Sequence, residues 1–144
     1  MLFYQVTAKM RLTTESPDIA MPIQSEVRER VLIVRPIESL NKACAAEFEE
    51  FIRNEMDEGF KLIAFDFSQL PSVSSDGLLV MLKLINELRK IGGEVVVTGL
   101  SPNVRVIFNV SGLFTLLEES EDLDSATARL MEQRETLPND PLSG

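Results

Sequence analysis

Residues 72–76 read Ser-Val-Ser-Ser-Asp. Hydroxyls and a carboxylate stand together there, just before a long apolar run. A serine hydroxyl is a nucleophile only when a base activates it, and the usual base is histidine. This chain of 144 residues contains 0 histidines. Ser-His-Asp and Cys-His pairs and histidine metal sites are therefore excluded. Lys83 lies further along the same segment, with nothing in the sequence to aim it at Ser75. No Gly-x-x-x-x-Gly-Lys loop is present to cradle a nucleotide phosphate. Catalysis is not expected, and neither is a cofactor or a metal site. What the hydroxyls can do is accept a phosphate. A phosphoserine at a helix start faces the positive end of the helix dipole and its unpaired N–H groups. It also adds about −1.5 to −2 charge, which would reject an acidic partner surface. The same residues also suit plain helix capping, with Ser74 or Ser75 as the cap and Asp76 in the first turn.

Two elements must position this loop. A β-branched and aromatic run, Leu62 to Phe67, predicts a strand covered on both faces. The stretch from Asp76 to Ile91, closed by Gly92-Gly93, predicts a helix. A strand's carboxyl end feeding a helix is a favoured place for function in open α/β sheets. Leu78, Leu79, Val80, Met81, Leu82, Leu84, Ile85, Leu88 and Ile91 crowd that helix. One helix on one sheet needs a single apolar stripe, yet these first turns are apolar nearly all round. Either part of that surface is a docking patch, or the helix is central and buried.

The rest of the chain alternates in the same way. Ile23 to Val27 and Val31 to Val34 predict paired strands around a turn at residues 28–30, with Pro36 limiting the second. Asn41 to Met56 predicts a helix with Ala45, Phe48, Phe51, Ile52 and Met56 inward. Glu94 to Thr98 predicts a strand. Ser101-Pro102 opens a short helix that Gly112 stops. Phe114 to Leu117 predicts a short edge strand, and residues 120–134 a last helix capped near Ser120 or Asp122. The order predicts an α/β fold, a mixed sheet of four to five strands with helices packed mainly on one face. Residues 1–20 read as a flexible extension, 21–134 as one domain and 135–144 as a disordered tail.

Composition narrows the partners. The formal charge is −9, from 23 acidic and 14 basic residues. Nucleic acid and anionic membrane surfaces call for a basic face, so neither is an expected partner. No run is long enough to cross a membrane, and nothing resembles a signal peptide. The single cysteine, Cys44, sits in a helical stretch and reads as a small buried apolar group. A cytoplasmic location is expected.

Four segments in order resemble the anti-sigma factor antagonist family of STAS domains. They are Leu62–Ser68, Val73–Leu78, Gly92–Gly99 and Leu100–Arg105 followed by Ser111-Gly112-Leu113. The likeness extends over roughly residues 21 to 132. The resemblance implies the STAS fold and a bacterial signalling role in transcription regulation by partner switching. In that role the unphosphorylated module binds an anti-sigma factor, a serine kinase of the histidine-kinase-like ATPase type, and a serine phosphatase reverses the modification. Aligned on Gly77-Leu78, the phosphoacceptor position falls on Ser75. The implied partner surface comprises Ser39, Asn41, Ser74, Ser75, Asp76, Gly77, Leu78 and Met81. The chain departs from the family loop at two points, with Ser74 in place of an Asp and Asp76 in place of a second hydroxyl. Upstream, Glu38 and Asn41 stand where the family often carries Gly and Asp. These departures suit a second reading, a STAS scaffold or assembly subunit that does not switch.

Overall fold

Alternating Val, Ile and Phe residues set the sheet, and the computed structural model describes residues 23–136. The first hairpin is β1 (Ile23–Arg28) and β2 (Val31–Pro36). α1 (Lys42–Asp57), β3 (Leu62–Asp66), α2 (Ser75–Lys90) and β4 (Glu94–Thr98) follow. α3 (Pro102–Ser111), a 3-10 turn (Leu113–Thr115), β5 (Glu118–Ser120) and α4 (Leu123–Thr136) complete the described chain. The sheet order is β1-β2-β3-β4-β5. β1 and β2 are antiparallel, and every other pairing is parallel.

The period of two sorts each strand between two cores. Leu32, Val34, Ile63, Phe65, Val95 and Val97 face α1, α2 and α3. Val31, Ile33, Leu62, Ala64 and Val96 face the other way, onto Ala126 and Leu130 of α4. Burial on both faces is why these strands read as continuous apolar runs. Three helices cover one face and one covers the other, as the mixed-sheet expectation has it. On the larger face an aromatic row runs Phe48, Phe65, Phe67, Phe108 and Phe114, with centroids 5.3–6.2 Å apart. Such pairs contribute about 0.5–1.5 kcal/mol each beyond their buried area.

Local chemistry sets the helix ends. Asn41 caps α1 by accepting from the Cys44 N–H. Ser74 caps α2, Ser101 caps α3, and Asp122 accepts from the Ser125 N–H at the start of α4. One expected element moves. Residues 114–117 do not form a strand: the chain makes a 3-10 turn at Leu113–Thr115, and β5 lies at Glu118–Ser120. Gly112, at φ 81°, ends α3 in the left-handed region. That turn sends Phe114 back edge-on against Phe108 instead of out along the sheet. The polar residues of β5 then suit a sheet edge, where charge discourages further pairing. Residues 1–22 and 137–144 lie outside the described residues, and with them all of the expected extension and most of the expected tail. α4 itself reaches Thr136, so it takes in the first two residues of the expected tail.

Candidate functional site

The loops before α1 and α2 are stitched together at the carboxyl end of the parallel strands. Leu40 forms a one-residue parallel bridge with Val73. The Leu40 N–H donates to the Ser72 carbonyl at 3.0 Å, and the Ser74 N–H donates to the Leu40 carbonyl at 3.0 Å. Ser72 Oγ donates to Ser39 Oγ at 3.0 Å. Leu40 itself is fully buried, so the stitch is anchored in the core. The N-termini of two helices are thereby fixed side by side.

Ser74 has two tasks. Its Oγ accepts from the Gly77 N–H at 3.3 Å and donates to the Leu40 carbonyl at 3.2 Å. A hydroxyl can do both, whereas a carboxylate can only accept. Ser74 is therefore the cap and is half-buried. Ser75 is the first residue of α2 and is exposed. A first-turn residue has no intrahelical partner for its N–H, so the hydroxyl stands beside unpaired donors. Asp76 follows in the first turn, where its charge suits the helix dipole.

Gly77 is buried because α2 presses on the α1 loop there. A Cβ built on it would lie 2.6 Å from the Leu40 carbonyl oxygen. Only glycine lets the helix approach so closely. Of the eight residues expected at the partner surface, Ser39, Asn41, Ser74, Ser75 and Asp76 come together at this edge. Leu78 is half-buried beside them. Met81 is corrected: it is 0% exposed and belongs to the core, so no partner can touch it. Gly77 is likewise covered and acts through packing alone.

The helix supplies a residue that sequence reasoning passed over. Leu79 is 59% exposed. It lines an open groove of about 360 Å³ between α1 and α2, with Lys42, Ala45, Ala46, Asp76 and Lys83 around it. Small alanines on α1 leave the hollow that Leu79 borders. The signal was in the sequence. Gly77, Val80, Met81, Leu84, Ile85 and Leu88 make the buried stripe. Leu79 falls off that stripe, on the face of Lys83 and Asn86. Behind the groove Glu49 accepts from Arg53 at 2.8 Å and pairs with Lys83 at 3.2 Å. Arg53 also reaches Glu87 of α2 at 3.0 Å. Hydrogen bonds from Arg53 hold the Glu49 and Glu87 carboxyls below their ordinary range, against a weaker upward push from burial.

Cys44 is half-buried and packs against the core. Burial, then the charges of Glu47 and Glu38, raise its thiol pKa, which keeps it protonated and unreactive. Among the described residues no cluster of three or more carboxylates or thiols could hold a metal ion. Among them, too, no helix is long and apolar enough to cross a membrane.

Known proteins share this fold. The STAS domain family matches residues 22–128. A Bordetella bronchiseptica protein assigned as an anti-sigma factor antagonist, BtrV, is 32% identical over 89 residues, which span 62% of this chain and 77% of that protein. A Thermotoga maritima structure with the same assignment superposes with a TM-score of 0.73 at 18% identity, covering 76% of this chain and 94% of that one. The unphosphorylated anti-sigma factor antagonist SpoIIAA gives a TM-score of 0.67 at 23% identity, covering 76% of this chain and 96% of its own. The phosphorylated form of SpoIIAA, a Bacillus cell fate determinant, gives 0.60 over 74% and 97%.

Proposed function

This chain belongs to the STAS domain family, among the anti-sigma factor antagonists, and from that premise we propose that it is a partner-switching module controlled by phosphorylation of Ser75. Its partner on this reading is an anti-sigma factor that is also a serine kinase, and a serine phosphatase resets it. The observation that carries the reading is the position of Ser75. It is exposed at the first residue of α2, on a loop stitched to the buried Leu40, beside the open groove at Leu79.

The docking surface is Ser39, Asn41, Ser75, Asp76 and the Leu79 groove. Unmodified, it offers the apolar Leu79 and hydroxyls beside the Asp76 carboxylate. A phosphate on Ser75 would gain from the N–H groups of the first turn and from the helix dipole. It would also raise the local negative charge beside Asp76 enough to turn away an acidic contact surface. The switch needs no rearrangement of the fold, because the added charge lies on the contact surface itself.

The test is binding of the cognate kinase by the wild type, Ser75→Ala and Ser75→Glu. Wild type and Ser75→Ala should bind alike, and Ser75→Glu should bind about tenfold or more weakly, which corresponds to about 1.4 kcal/mol. Equal binding by both variants would remove the switch. Peptide mass spectrometry on protein from its native cells gives the second check. A Ser75 that is never modified, in a protein held constitutively in a large complex, would favour the scaffold reading that Asp76 and Asn41 suit.

A further inference from the structure

Two lysines flank the groove beside Leu79, and the fold makes little use of either charge. Lys42 is exposed at the first residue of α1. The positive end of the helix dipole disfavours a cation there, and the first turn of α1 holds no acidic residue to offset it. Among the described residues no carboxylate pairs with its ammonium. Lys83, on α2, is 57% exposed and stands 3.2 Å from Glu49. Glu49 does not depend on it, because Arg53 already gives the same oxygen two N–H groups, at 2.8 and 3.0 Å. Lys83 Nζ can therefore turn to another carboxylate without stranding Glu49.

The carboxylates at the groove are engaged in a way the lysines are not. Arg53 holds Glu49, and Asp76 lies in the first turn of α2, where the helix dipole supports its charge. The groove thus offers a partner an apolar centre, Leu79 beside Ala45 and Ala46, with one available cation on each helix wall. On a chain of formal charge −9 that is a local reversal. A basic segment seated there would set further cations against both ammonium groups, and an uncharged one would cover them unpaired.

We infer that the groove receives an acidic, apolar segment of the kinase: an apolar side chain seated on Leu79 and the alanines, flanked by carboxylates that pair with Lys42 and Lys83. The inference rests on the reading of this edge as the kinase-docking surface, and it adds the chemistry of the segment that docks. It also gives the phosphate a specific target. Lys42 and Asp76 line the same groove, and Ser75 adjoins Asp76. A phosphate on Ser75 brings about −1.5 to −2 charge to the place where the kinase carboxylates must seat. It repels them and competes for Lys42. Opposite charges across a contact select the partner and speed its encounter more than they add affinity, so the two lysines determine specificity.

Titration of the cognate kinase into wild type, Lys42→Glu, Lys83→Glu and Lys61→Glu tests this. Lys61 is exposed just before β3, at the end of that strand away from the groove, and controls for net charge. Lys42→Glu and Lys83→Glu should each weaken binding about tenfold at low salt, chiefly through a slower association rate. The loss should shrink as salt screens the pairs. Lys61→Glu should stay within about twofold of wild type. Lys83→Met removes the charge without setting a carboxylate against Glu49. It should weaken binding about threefold, and it keeps the test sound if Lys83→Glu fails to fold. Lysine variants that bind as tightly as Lys61→Glu would overturn the inference, while a Ser75→Glu that still binds weakly in the same assay leaves the switch standing. Weak binding by the lysine variants with no effect of Ser75→Glu would keep the acidic segment and remove the switch. A wild type that binds no anti-sigma kinase removes both.

Discussion

At Ser74 one atom can do what the alternative residue cannot. Its Oγ accepts from Gly77 and donates to the Leu40 carbonyl, so an Asp in its place would set a carboxylate against a carbonyl oxygen. Gly77 is the counterpart on the helix. Gly77→Ala would put a methyl 2.6 Å from the Leu40 oxygen, and that atom is backbone that cannot swing aside. The loops would have to part. The expected cost is about 1–3 kcal/mol of stability, read from urea unfolding. Binding of the proposed kinase partner should fall with it, because the α1 and α2 loops share one surface. Much of this was legible. The Ser-Ser-Asp before an apolar run pointed to a cap at Ser74 or Ser75, and the backbone geometry places it at Ser74; local hydrogen bonding is what short sequence spans encode best. The contact between Gly77 and Leu40 was not, because it joins residues far apart in the chain that only the sheet brings together.

At the scale of elements, α2 shows where apolar pattern alone fails. Its first turns read as apolar all round, and the sequence could not decide between burial and exposure. Both occur. Val80 and Met81 pack into the core between the sheet and α1, while Leu79 faces out over the groove. Helical phase separates them, since Leu79 lies about 100° from Val80 and on the side of Lys83. The two positions should therefore respond in opposite ways. Leu79→Glu should leave stability within about 0.5 kcal/mol. It should weaken binding of the proposed kinase partner by about 1–2 kcal/mol, as for an exposed apolar anchor at an interface. Met81→Ala should lose about 2–5 kcal/mol of stability through the cavity it leaves. Thermal unfolding and a binding titration on the same two variants check both halves. The short strand expected at 114–117 failed for a related reason: Phe114 has the propensity of a strand residue, but the aromatic row offered it a better place.

Across the whole molecule, one ion pair ties the sheet together beneath the functional edge. Asp66 ends β3 and is buried. Its Oδ2 accepts from Arg35 Nε of β2 at 2.7 Å, and its Oδ1 accepts from the Ser68 N–H at 3.0 Å. Burial pushes the carboxyl pKa up, but the hydrogen bonds from Arg35 and Ser68 outweigh it and hold the pKa below the ordinary 3.8. The unfolded chain therefore binds the Asp66 proton more readily than the folded one. The stabilisation is present in full above the ordinary value and is lost as pH falls through the lower folded value. Asp66→Asn leaves Arg35 without its carboxylate and should cost about 2 kcal/mol at neutral pH, since Arg35 keeps some access to water. The pH dependence then separates charge from shape. The gap between wild type and Asp66→Asn should be constant from neutral pH down to about pH 5 and narrow below about pH 4, where the wild type loses the charge that the variant never had. Other lowered carboxyls, such as Glu49 and Glu87, titrate in both proteins and cancel in the difference. Urea unfolding of the pair across this range measures it. A gap that stays fixed to the lowest pH would mean that Asp66 holds the edge by its hydrogen-bonded shape and that its charge contributes nothing.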